Sequence, residues 1–215
     1  MKKNALQMFL GMILLSAVSF AAVPEQMPES FDAQYKIAST PTLPMATRWK
    51  ALLSAAELAN ATQIQKVLAF SKDKEWYMRN ATLVALDKIE SDLVYDKARE
   101  LINDKALVVR SAAVDVLGRL KDPSIRRVLS KEMMQKYNFN GKTSLWIRPQ
   151  IMKYLVQNPT EEDKAYFAQF LYDSDKAVTA YSIQALEKLT QVRFSGKNSA
   201  EVIDQWRQFA RKNKW

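Results

Sequence analysis

Histidine and cysteine are both absent from the 215 residues. Their absence removes the imidazole base, the thiolate nucleophile and the commonest transition-metal ligands together. Carboxylates, lysines, tyrosines and hydroxyls are left to do chemistry. The densest acidic run, Glu161-Glu162-Asp163, follows Pro159-Thr160, so it reads as a helix start, where acids are favoured by the macrodipole, rather than as a catalytic carboxylate pair. There is no glycine-rich phosphate loop, because Gly118 stands alone in a helical pattern while Gly141 and Gly196 sit in turns. These residues imply no catalytic group, metal ligand or cofactor.

Groups suited to binding are more plentiful. Between Lys121 and Lys153 eight bases stand against two acids, Asp122 and Glu132. Aromatic residues cluster in the same part of the chain. Arg126, Arg127, Lys131, Lys136, Tyr137, Phe139, Lys142 and Trp146, with Arg207 and Arg211 near the end, are the candidate partner-binding residues, since aromatic and arginine side chains dominate interface hot spots. Trp76-Tyr77 is either a further anchor or core. The formal charge of +9 favours acidic proteins, anionic envelope polymers or membrane headgroups as partners.

Positioning these groups requires a scaffold, and its period is visible. Arg48, Arg79, Arg110, Arg148 and Thr179 are separated by 31, 31, 38 and 31 residues. Four places after each stand Leu52, Leu83, Val114, Met152 and Ile183; seven places after stand Ala55, Leu86, Leu117, Leu155 and Leu186. This spacing makes one apolar stripe of a helix. Six places before three of the anchors stand Asp73, Asp104 and Asp173, suited to the turn or helix start that precedes the periodic segment. Second amphipathic stretches lie between, over Thr62–Phe70, Leu93–Asn103, Ser124–Tyr137, Thr160–Tyr172 and Ser199–Lys212, with Ser124 and Thr160 as candidate caps. A pair of helices of about thirty residues cannot bury its apolar face alone, whereas stacked pairs share a continuous core. The expected fold is all-α, a right-handed α-solenoid of about five stacked helix pairs over residues 45–215. The seven residues in excess at the long interval are assigned to Tyr137–Thr143, either a binding loop or a neutral connection. Pro149, directly after Arg148, would start or kink its helix.

Two segments precede the periodic region. Lys2-Lys3, the apolar run Met8–Phe20 and the small residues Ser19 and Ala21 form the pattern of a secretory signal peptide cleaved after Ala21, too short to span a bilayer. This pattern predicts a periplasmic or secreted protein without a transmembrane anchor after cleavage. Residues 22–44 hold four of the seven prolines and read as an extended or disordered tether, with Phe31, Tyr35 and Ile37 available to fold onto a partner or onto the first helix pair.

The segment Asp104–Leu129, with its Asp, Val-Arg, paired alanines, Leu-Gly-Arg-Leu and Asp-Pro, resembles a HEAT repeat of the bacterial, phycobilin-lyase-associated type. Ser71–Ile89 is a second good match, and the ending from Ala185 is similar to the closing segment of such proteins, where paired aromatics, here Trp206 and Phe209, cap the last core. The resemblance implies that Arg79 and Arg110 bridge to acids at repeat boundaries, Asp73 and Asp104 being candidates. It further implies that second helices line a concave groove, with Arg126, Arg127, Lys131 and Lys136 projecting into it. The functional expectation is an exported, non-enzymatic scaffold that binds an acidic or extended protein partner. The alternative, resting on a HEAT-like family of DNA glycosylases, is nucleic-acid binding through the basic face, which export disfavours. A chromophore-lyase-like role would rest on fold analogy alone.

Overall fold

The computed structural model describes residues 30–120 and 122–215. The signal peptide, its cleavage site, the first part of the tether and Lys121 lie outside the described residues. The described chain is all-α apart from one two-residue ladder: α1 (Phe31–Ser39), α2 (Met45–Leu58), α3 (Ile64–Ala69), α4 (Trp76–Lys88), α5 (Leu93–Leu101), α6 (Leu107–Gly118), α7 (Pro123–Glu132), β1 (Phe139–Asn140), β2 (Thr143–Ser144), α8 (Ile147–Leu155), α9 (Lys164–Gln169), α10 (Lys176–Thr190) and α11 (Ser199–Lys212).

The anchor residues fall on α2, α4, α6, α8 and α10, and these helices pack in succession: α2 on α4, α4 on α6, α6 on α8 and α8 on α10. They run parallel, as side-chain bonds between equivalent positions show. Trp49 donates to Asn80 near the starts of α2 and α4 and Lys88 pairs with Glu57 near their ends; Arg79–Asp104 and Arg119–Asp87 do the same for α4 and α6, Ser111–Gln150 and Asp115–Tyr154 for α6 and α8, and Arg148–Asp173 and Lys188 to the Val156 carbonyl for α8 and α10. The apolar stripe supplies the core: Leu52, Leu83, Val114 and Met152, and Ala55, Leu86, Leu117, Leu155 and Leu186, are all buried. Burial of such side chains is worth roughly 1.5–3 kcal/mol each for the larger ones.

Residues 31–39 correct the expectation of an extended tether. Ser30 caps α1 by accepting from the Ala33 amide, and Phe31, Gln34 and Ala38 are buried against α2. The spacing i, i+3, i+7 is helical, and the segment closes the first face of the stack. The flanking prolines concealed it.

Three further local features differ from the sequence expectation or explain it. Asp122, not Ser124, caps α7, with Pro123 in the first turn, where a missing amide costs nothing. Pro149 is likewise third in α8, so it starts that helix without breaking it. Gly118 is required by packing: a Cβ there would stand 2.3 Å from the Tyr154 ring, which lies across the end of α6. At the C-terminus Trp206 is fully buried and meets Phe194 and Phe209 edge-on at centroid distances of 5.0 and 5.7 Å.

Candidate binding surface

The anchor arginines are buried and form a series of rungs between successive units. Arg79 donates from Nε and Nη2 to the two carboxylate oxygens of Asp104, at 2.6 and 2.7 Å, and from Nη1 to the Asp73 and Lys74 carbonyls. Arg148 grips Asp173 in the same way, at 3.2 and 2.5 Å. Arg48 reaches Asp73 at 3.6 Å and donates to the Tyr77 hydroxyl and the Ala38 carbonyl. In each case the acid stands 25 residues after the arginine. The acid before each anchor therefore serves the preceding arginine: Asp104 takes Arg79, while Arg110 receives only the Asp104 backbone carbonyl. Burial alone would raise the Asp104 carboxyl, yet the Arg79 bonds and the Ala106 amide hold it below the usual carboxylate range.

Arg110 breaks the series because Gln135, not an acid, stands 25 residues on. The excess residues supply a substitute. Nε of Arg110 donates to Asn138 Oδ1 at 3.0 Å, Nη2 donates to the Tyr137 carbonyl at 2.8 Å, and the guanidinium lies 5.0 Å from the Tyr137 ring centroid. The Tyr137 hydroxyl donates to buried Glu132 at 2.6 Å. Burial pushes the Glu132 carboxyl up, more than this bond and the nearby Arg110 charge lower it. The rest of the excess folds into a hairpin, with Phe139 opposite Ser144 and Asn140 opposite Thr143. Its two-residue turn places Gly141 first with φ 61°, the conformation a II′ turn assigns to glycine.

The ten candidate side chains separate into held and free groups. Arg126 pairs with Asp163 at 2.7 Å and donates to the Leu155 carbonyl at 2.7 Å, joining α7 to the turn after α8. Arg207 donates to the Leu171 carbonyl from two nitrogens and stacks 4.7 Å from Tyr172, which fastens α11 to the stack. Arg211 contacts the Tyr172 hydroxyl at 3.3 Å. Phe139 lies under Arg148 at 4.3 Å, and Tyr137 holds Glu132. Arg127, Lys131, Lys136 and Lys142 are exposed, and no hydrogen bond or ion pair engages their side chains among the described residues. Trp146 is exposed at 58%, on the edge where α8 begins. The sequence reading omitted Met134, 61% exposed beside Lys131 and Lys136; methionine just past a helix end gives no signal of its own.

Among the described residues no group of acids is placed to hold a metal ion, and no helix is long and apolar enough to cross a membrane. No family model matches the chain, and no curated protein matches it.

Proposed function

We propose that this chain is a non-enzymatic binding protein, a right-handed α-solenoid of HEAT type exported to the periplasm or beyond, which engages an acidic or extended segment of a protein partner. The supporting observation is the contrast within its basic region: Arg126 is spent on internal bonds, whereas Arg127, Lys131, Lys136 and Lys142 stand free on and just beyond α7. Uncommitted cations that have no part in the fold are suited to steer an acidic partner. Crosslinking in intact cells, followed by recovery with wild type and with a combined Arg127→Glu, Lys131→Glu, Lys136→Glu variant, tests this reading. The variant should fold normally and lose the partner; undiminished recovery overturns the basic-face reading. An N-terminus at Ala22 in the recovered protein would support export, and an intact Met1 in the cytoplasm would promote nucleic-acid binding instead.

A further inference from the structure

The chain exposes nine large hydrophobic side chains among its described residues, and seven of them lie in the connections that lead into α2, α4, α6, α8 and α10 or within the first two residues of those helices. Because α2, α4, α6, α8 and α10 run parallel, those connections share one edge of the stack. Met45, Trp76, Val108 and Trp146 stand two or three places before the anchors of the first four units, between 39% and 58% exposed, whereas Tyr172 is held by Arg207 and Arg211, and Met134 and Tyr137 belong to the long connection before α8. The two remaining exposed residues of the nine, Leu58 and Leu93, stand at the opposite ends of the helices. A core stripe explains none of this, since the side chains point outward and the buried positions of the same helices are already filled.

Charge follows the same line. Lys74, Lys105, Lys142 and Lys176 are exposed along this edge, one per unit from the second onward, and none has an ion pair among the described residues. The acids beside them are occupied elsewhere: Asp73, Asp104 and Asp173 by the arginine rungs, and Asp175 by the Ala177 amide. Only Glu75 stands near the line without a bonded partner among the described residues. The edge is therefore an alternation of apolar and cationic side chains with the period of the stack.

Packed helices lie about 8–10 Å apart, and an extended chain in the polyproline II form rises about 3.1 Å per residue with three residues per turn, so that every third side chain faces one way. One unit of the stack thus matches three residues of an extended peptide. We infer that this edge is a docking track for an extended acidic peptide segment carrying an apolar residue at every third position, its acids meeting the lysines and its apolar residues meeting the exposed stripe. The inference rests on the reading of the chain as a binding protein and names a second surface, sharing only Lys142 with the α7 basic group, together with the sequence pattern of its partner.

The probe is a fluorescein-labelled peptide of five Leu-Asp-Glu triplets, with a peptide of the same composition but clustered leucines as its control. The triplet peptide should bind and shift tryptophan emission. Combined Trp76→Ala and Trp146→Ala should weaken it about tenfold or more with little change in melting temperature, because neither side chain belongs to the buried core. The α7 charge-reversal variant should weaken it far less. Equal binding of the clustered peptide, or no binding of the triplet peptide, overturns the docking track; partner recovery by crosslinking then decides separately whether the binding-protein reading survives. Loss of peptide binding in the α7 variant but not in the tryptophan variant also overturns the track and leaves that reading standing. The inference falls equally if phosphatidylglycerol vesicles, and not the peptide, are bound through the tryptophans, or if sedimentation shows a dimer that the tryptophan substitutions dissolve.

Discussion

Arg79 and Arg110 occupy the same place in consecutive units, on α4 and α6, and are both buried, yet they are satisfied in opposite ways. Arg79 meets a carboxylate through two parallel bonds; Arg110 meets a neutral amide, a carbonyl and an aromatic face. A bidentate carboxylate compensates the desolvation of a guanidinium with an opposite charge. The second arrangement compensates it with dipoles and leaves a neighbouring acid, Glu132, engaged by Tyr137. Its boundary is reinforced elsewhere, by Gln150 and Tyr154 bonding to Ser111 and Asp115 and by the Tyr154 ring seated on Gly118. A boundary of this series can thus accept an insertion, provided the inserted residues bring their own acceptors.

The comparison is most sharply tested by Asp104→Ala, which strands a buried cation and should cost about 3–5 kcal/mol in urea unfolding. Asn138→Ala removes one acceptor from Arg110 and one donor to the Glu132 carbonyl, and should cost about 1–3 kcal/mol. If the two losses were equal, the distinction between charged and neutral rungs would collapse. The smallest effect is in the pH profile. Asp104 is held below the usual carboxylate range, so its contribution is present at neutral pH and lost as pH falls through that depressed value. Glu132 is raised, so the folded state binds the extra proton and stability declines as pH rises from the ordinary glutamate value through the raised one. Glu132→Gln should flatten that second limb only and leave the acid limb unchanged, as measured by thermal unfolding across pH.

The parts of this architecture that depend on period were legible from residue types alone. The positions four and seven places after each anchor are buried in the first four units because helical spacing leaves them no other face. The acids before Arg79, Arg110 and Thr179 were equally visible, but their partners were not, since spacing along one helix does not disclose which neighbouring unit a long side chain crosses to. The same limit applies to the candidate surface. Arg126 and Arg127 are adjacent bases in the sequence, and only the position of Asp163, 37 residues on, separates a fold contact from a free cation. Arg207 was hidden for the same reason, its acceptor being a backbone carbonyl at Leu171. α1 did carry a local signal, Ser30 ahead of Phe31, Gln34 and Ala38, which was outweighed by the prolines around it.

Because Arg48, Arg79 and Arg148 each pair with an acid that comes 25 residues later in the chain, the series has a direction along the sequence. Each of these three cations therefore waits for the following unit to be in place before its boundary closes. Thr179, whose hydroxyl donates only to the Phe170 and Asp173 carbonyls already made, is where the waiting ends.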